Sequence, residues 1–326
     1  FIADTDGRYT LNGTAYNNLS SFLTAAGGTY TRASVGTYFD STGTLQTAAN
    51  NIPRFDHAPV THAPKGILIE ESRTNLLTNS WKFQPKGGGP IQGTYITDVL
   101  APDGTYNGSR VTVSSSREFI EYVVPNGSYT FSFYVKLSSG SRAMSFNIKD
   151  RQSDTIRGTT NFIATTAWQR VSVSGVVAGT NAGVRIEILG FDIDDHYWGA
   201  QLERGSFPTS YIPTTGSAVT RAEDNLTIPT GTWFSTLAGA YYADFYSTYN
   251  SAQTNYTRIV GNGAGTDAYL GLGNNFSQLQ SWNGSPYISA NFSPAVSVNT
   301  PAKAAVSWSS TTLNRSLVGN GGSVST

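Results

Sequence analysis

The chain has 326 residues, with 21 basic and 21 acidic side chains, a formal net charge of zero and no cysteine. That balance excludes long-range attraction to nucleic acid, and the missing thiols exclude disulfides and thiolate metal sites. No stretch approaches the ~18 consecutive apolar residues of a membrane span, so no membrane insertion is expected, and no signal peptide is visible. Hydrophobic residues make up 38%, enough for sizeable cores, whereas charged residues make up only 13%, against ~25% in an average soluble protein. Thr, Ser, Gly, Asn and Tyr supply the surface instead. This composition favours all-β structure, because β-branched and aromatic side chains suit pleated sheets while Gly and Asn suit turns. A weakly charged surface also suits contact with copies of the same chain or with a neutral glycan.

In chain order, residues 1–65 are expected to form an irregular arm or small β-subdomain that packs on the next module or on neighbouring subunits. Within it, Tyr16–Ala26 places Leu19, Phe22 and Leu23 on one helical face and is ended by Gly27 and Gly28. Thr29–Phe39 alternates weakly as a strand, and Asp40–Gly43 is a turn. Next comes the apolar strand Ile67–Ile69, followed by Glu70, Glu71, Ser72 and Arg73. Arg73 beside two carboxylates reads either as a buried clamp or as an exposed charge cluster of little energetic weight.

Gly87–Leu100 is loop and strand. Short strands then follow at regular intervals: Ser109–Val113, Phe119–Val124, Ser128–Leu137, Met144–Asp150, Thr159–Ile163, Gln169–Val177, Val184–Gly190 and His196–Leu202. Ser128–Leu137 alternates cleanly, with Tyr129, Phe131, Phe133 and Val135 opposite Thr130, Ser132, Tyr134 and Lys136. Eight such strands predict a two-sheet jelly roll over residues 66–214. In the last strand Trp198, Ala200 and Leu202 share the core face, with Tyr197 opposing it. Trp168, Trp198 and Trp308 are expected in cores. Gly205 stops the strand, and the connector Ser206–Ser217 includes Pro208 and Pro213, which lack N–H donors. Residues 215–226 read as a linker. A second sandwich is predicted over residues 227–326, beginning with the alternating strand Ala240–Tyr246. It continues through Arg258–Gly261, Ala268–Gly273, Phe276–Ser281, Ser289–Phe292, Ala302–Ser307 and Asn314–Val318. The fold class is therefore all-β, as tandem antiparallel β-sandwiches.

Catalytic signatures are lacking. There is no GxSxG and no HExxH, and Glu118, Glu121, Glu187 and Glu203 fall on predicted strands without a spacing that pairs them as acid and base, so no enzyme is expected. His57 and His62 flank a loop without metal-ligand spacing. Asp192, Asp194 and Asp195 form the densest acidic cluster. Clustered oxygens suit a hard cation, which makes structural calcium the one cofactor candidate; an acidic turn is the plainer account. Aromatic residues, at 12%, are the plentiful resource. Sugar rings stack on exposed aromatic faces, and the glycan-binding candidates are Trp81, Phe83, Tyr95, Tyr197, Trp282 and Tyr287. Core or subunit-interface placement is the competing reading of each.

Two long signatures, GILIEESRTNLLTNSWKF at Gly66–Phe83 and WGAQLERGSFPTSYIPTTGSAVTR at Trp198–Arg221, frame about half of the chain. They resemble the opening and close of a module found in tailed-bacteriophage structural proteins, especially tail fibres and related appendages. Tyr38–Asp56 resembles the segment that precedes that module. The resemblance implies a jelly roll like those of carbohydrate-binding modules, a homotrimer, other virion proteins as partners and contact with a host-surface glycan. It also implies a virion location after assembly in the host bacterial cytoplasm. The strand order of the second block resembles a concanavalin A or laminin-G sandwich, a domain that runs longer than the residues present. Phe1 at the start and a single methionine, Met144, suggest a piece of a longer fibrous protein. The expectation is a virion subunit that binds glycans multivalently. Its rivals are a polysaccharide depolymerase or glycosidase, and a purely architectural decoration protein.

Overall fold

The computed structural model describes residues 9–81, 95–111, 117–153, 155–190, 192, 194–231, 235, 238–247, 257–261, 269–273, 278–282, 288–291, 296–297, 300–309 and 315–319. The described residues are β-structured apart from one helix, and the chain divides into two compact units, Phe1–Thr227 and Ile228–Thr326. Among the described residues no helix is long and apolar enough to cross a membrane.

The first unit opens with a hairpin of β1 (Tyr9–Leu11) and β2 (Thr14–Tyr16), followed by helix α1 (Leu19–Ala26). The helix starts later than expected because Asn18 caps it, its side chain accepting from the Ser21 N–H at 2.9 Å. Tyr16 stays in the hairpin, where its ring meets that of Phe22. Short strands follow: β3 (Thr29–Thr31), β4 (Gly36–Phe39), β5 (Leu45–Ala48), β6 (Phe55–His57), β7 (Pro64–Ile67) and β8 (Arg73–Asn75). β4 pairs with β5, and β6 with β7.

The sandwich comprises β9 (Tyr95–Val99), β10 (Gly108–Val111), β11 (Arg117–Tyr122), β12 (Gly127–Lys136), β13 (Arg142–Asp150), β14 (Ile156–Ala164), β15 (Gln169–Val177), β16 (Val184–Leu189) and β17 (His196–Arg204). One antiparallel sheet has the order β15-β12-β17-β10-β9 and the other β11-β16-β13-β14. Between them lie Tyr129, Phe131, Phe133 and Val135 of β12, Met144, Phe146 and Ile148 of β13, and Val184, Ile186 and Ile188 of β16. These are the faces that strict alternation predicts. The Phe133 and Phe146 rings meet edge to face at 5.3 Å across the core. Where β14 approaches β15, Gly158 and Gly175 permit contact that no side chain would allow. A Cβ on Gly158 would sit 2.1 Å from the Ser174 carbonyl oxygen, and one on Gly175 would sit 2.6 Å from Ile148 Cγ2.

Alternation fails once, in β17. Gly199, at φ 62, opens a bulge, so that Ser132 faces Gln201 but Tyr134 already faces Trp198. Tyr197, Ala200 and Leu202 therefore enter the main core, and Trp198 passes to the opposite face. The expected faces of Tyr197 and Trp198 are thus exchanged.

The segment expected as a linker, 215–226, is built into the first unit. β18 (Val219–Arg221) pairs with β8, and β19 (Asn225–Thr227) pairs with β3. Nor is the arm separate from the sandwich. A buried ion cluster joins all three regions. Asp224 takes Arg32 Nη1 at 3.1 Å and pairs with Arg54 Nη2, which also lies 2.9 Å from Glu70. Arg221 stands 3.6 Å from both Glu70 and Asp224. Tyr30 donates its hydroxyl to Asp224 and accepts from Arg32 at 2.6 Å. Burial, reinforced by Asp224, pushes the Tyr30 phenol up to about 12. Arg73, by contrast, pairs with Glu71, whose side chain is 55% exposed, and rests over the Phe207 ring. The two readings of that sequence cluster therefore divide: Glu70 is clamped and Glu71 is at the surface.

In the second unit β20 (Ala238–Tyr246) heads a three-stranded sheet with β25 (Pro301–Ser309) and β26 (Arg315–Gly319). A four-stranded sheet joins β21 (Thr257–Gly261), β22 (Tyr269–Gly273), β23 (Gln278–Trp282) and β24 (Ile288–Asn291) in sequence order. Ala302, Ala304 and Val306 are buried on one face of β25. On the other face, Lys303 meets Asp244 at 3.7 Å.

Two predictions follow from this packing. Gly158→Ala forces a Cβ into backbone, and thermal or denaturant unfolding should show a loss of about 1–3 kcal/mol. Asp224→Asn leaves buried guanidinium groups without their counter-charge, and should cost about 3–5 kcal/mol at neutral pH. Acid adds a further check through Glu70. Burial pulls its carboxyl up, but Arg221, Arg54 and two bonds from Ser210 outweigh that and hold it below its usual range. Its contribution is therefore complete above the unfolded-state pKa of ~4.3 and is lost as pH falls through the lower folded value. Glu70→Gln should be less stable at neutral pH and lose less on acidification, measured by denaturation as a function of pH.

Candidate functional site

The outer face of the five-stranded sheet carries Thr130, Ser132, Tyr134 and Lys136 from β12, and Glu203, Gln201, Trp198 and His196 from β17. A polar, aromatic sheet face of this kind can receive a ligand, but most of it is already occupied by the chain. Thr209 donates to Glu203 through its N–H at 3.0 Å and its hydroxyl at 2.8 Å. Gln201 accepts from the Ile212 N–H at 2.6 Å and donates to the Ser210 carbonyl at 3.3 Å. Arg170 donates to the Thr209 carbonyl at 2.5 Å. This proline-flanked segment thus satisfies its backbone groups with side chains of the sheet rather than with a strand partner. Beside it, Tyr134, Trp198 and Tyr211 form a second core with Leu45, Ala101 and Phe39. Trp198 and Tyr211 are 4.6 Å apart between ring centroids.

A strip at one end of the face escapes this cover. Lys136 is registered with His196, His196 with Arg110, and Arg110 with Ile96, which places the four in one row across four strands. Arg110 donates to Asp194 at 2.9 Å and to Asp98 at 3.1 Å. The Lys136 ammonium lies 5.0 Å above the centroid of Trp168, and among the described residues it meets no carboxylate. Trp168 is half-buried, packs against the edge of the second core, and donates its ring N–H to the Leu100 carbonyl at 3.1 Å. His196 Nδ1 is shielded and has no hydrogen-bond partner. Burial, with Lys136 and Arg110 nearby, lowers the His196 pKa and favours the neutral ring. Ile96 is 39% exposed, and Tyr106, on the loop before β10, is 73% exposed. Ammonium, imidazole, guanidinium, carboxylates and aromatic surface lie together here, a combination suited to binding a hydroxyl-rich ligand.

Of the aromatic residues expected to bind sugar, only Trp81 and Tyr197 have described side chains. Trp81 is half-buried and engaged by neighbours. Tyr197 is fully buried against Phe133 and has no face to offer, because the bulge turned it inward. Tyr95 begins β9 and Trp282 ends β23, but their side chains lie outside the described residues, as do Phe83 and Tyr287 altogether. The acidic run does not converge either. Asp194 serves Arg110, Asp195 pairs with Arg142, and Asp192 stands 3.6 Å from Arg142. Among the described residues no group of three or more His, Asp or Glu side chains is placed to hold a metal. The strand carboxylates are likewise dispersed: Glu187 meets Lys149 and Asn147, Glu121 meets Arg185, and Glu203 meets Thr209. Lys136, Arg110 and Trp168 were missed as a site because Lys136 and Arg110 are unremarkable on their own strands and only the pairing register aligns them with His196, while Trp168 lies in the loop between β14 and β15.

Residues 73–190 match the model of a family described as a carbohydrate binding domain. A solved structure titled "CBM4 structure and function" matches at 13% identity with a TM-score of 0.27, covering 35% of this chain and 79% of that one. No curated protein matches. Residues 73–190 of the first unit are thus similar to a carbohydrate-binding module, and the matched span includes Arg110, Lys136 and Trp168.

The acidic run can be tested directly. Treatment with EDTA should leave the melting temperature unchanged. Arg142→Ala should lower stability by about 1–3 kcal/mol, because it leaves the buried Asp195 carboxylate without its partner.

Proposed function

We propose that this chain is a structural subunit of a tailed-bacteriophage particle, a tail fibre, spike or related appendage, that holds a host-surface glycan without cleaving it. The observation that carries the glycan part is the carbohydrate-binding family match over a sandwich whose open strip combines an aromatic ring with uncommitted polar groups. The virion part rests on the two long signatures at Gly66–Phe83 and Trp198–Arg221. On this reading the protein assembles as a homotrimer beside other virion proteins, and several weak sites act together through avidity. The second unit, with its sheets of three and four antiparallel strands, is read as a concanavalin A or laminin-G-like sandwich.

A purely architectural decoration protein is the second reading. It is favoured by one specific observation, that the chain itself fills most of the five-stranded sheet's outer face.

A glycan array probed with the intact chain separates the two. Attachment predicts a signal that survives EDTA, leaves the mass of the bound glycan unchanged and falls with Trp168→Ala in a variant shown to melt normally. Absence of any signal selects the architectural reading, and release of reducing ends from a bacterial polysaccharide would replace both with a depolymerase. Light scattering should give the mass of a trimer, and a monomer would remove the assembly claim.

A further inference from the structure

We propose that the open strip takes a sugar bearing a negative charge, its anionic oxygens held by Lys136 beside Trp168; this rests on the strip being the glycan site. The argument is one of unmatched charge. The strip's other cation, Arg110, has Asp98 and Asp194, and elsewhere on the sandwich Arg142 has Asp195, Arg157 has Asp150, Lys149 has Glu187 and Arg185 has Glu121. Arg170, which meets no carboxylate among the described residues, is held under the covering segment by the Thr209 carbonyl and the Ser132 hydroxyl. Lys136 instead stands over an indole. A ligand stacked on that face of Trp168 must displace the ammonium from the ring and then lie against it. A neutral sugar would strip water from the charge and return only hydroxyl contacts, which is costly, whereas an anionic oxygen restores a charge-assisted bond.

The neighbours define how such a group would sit. His196 is directly opposite Lys136 in the register, with Cβ atoms ~5 Å apart by the spacing of paired strands. Its Nδ1 lacks a partner, so once Lys136 swings off the indole the imidazole can contribute a second bond to the same ligand. Asp98 and Asp194 already neutralise Arg110 on the far side of His196. Attraction is therefore concentrated at Lys136 and opposed beyond it, which suits a single charged substituent on a sugar rather than a dense polyanion.

Calorimetry on the intact chain tests this with three probes: a uronic-acid-containing oligosaccharide, the same oligosaccharide after reduction of its carboxyl groups, and a sulfated oligosaccharide. The expected result is that carboxyl reduction weakens binding roughly tenfold or more. Lys136→Met should reproduce that loss on the acidic probe and leave the reduced probe little changed. Lys136→Arg should restore most of the affinity, and added salt should weaken only the charged probes. Comparing uronate with sulfate tells which anionic group is preferred; tighter binding of either than of the neutral probe supports the proposal. Equal binding of acidic and reduced probes, both lost with Trp168→Ala, would overturn the charge claim and keep the site. Binding of glycans that is indifferent to both Trp168→Ala and Lys136→Met would overturn the site itself.

Discussion

The first unit depends on a buried carboxylate, Asp224, meeting guanidinium groups from two distant parts of the chain. Arg32 and Arg54 arrive from the arm, while Arg221 and Asp224 come from the returning segment; Glu70, from the signature between them, completes the cluster. Two bonds hold Glu70 and Asp224 together: the Glu70 N–H donates to the Asp224 carboxylate and the Asp224 N–H to the Glu70 carbonyl, each at 2.9 Å. Buried charges are costly to desolvate, so such a cluster is weak evidence for extra stability. Its effect here is specificity: the arm, the signature and the returning segment cannot find their partners independently.

Closing that cluster also decides what the sandwich presents. Ser210, just before the returning strand, donates twice to Glu70, and its neighbours Thr209 and Ile212 bond to Glu203 and Gln201. The same connection that anchors the ion cluster therefore seals most of one sheet face. The other sheet has a row of its own, in which Lys149, Glu187, Asn147 and Thr159 bond to one another. Among the described residues of the five-stranded sheet's outer face, the strip at Lys136, His196 and Trp168 is what this cover leaves open. The segment similar to a carbohydrate-binding module thus has most of one sheet face covered by its own chain.

Much of this architecture was legible in advance. The period-two pattern of β12 placed Phe131 and Phe133 in the core without ambiguity, since a slip by one residue would expose them. The helix over Leu19–Ala26 was equally clear, apart from an N-terminus that Asn18 sets by capping. The site was less legible. Exposed aromatics were sought along the chain, yet Trp168, read as a core residue, belongs to the strip, and Tyr197, read as exposed, is buried.

The sequence alone determined what is local: an all-β chain, the places of the main sandwich strands and the core face of strands such as β12. Only the tertiary structure decided which charges meet and which face water. Glu70 and Glu71 are adjacent in sequence, but one is enclosed by Arg54 and Arg221 while the other stays with Arg73 at the surface. The bulge at Gly199 exchanges Tyr197 and Trp198 between faces. Periodicity records how a strand relates to its own two faces; it contains nothing about the distant segment that will cover one of them, and that cover is what separates core from site.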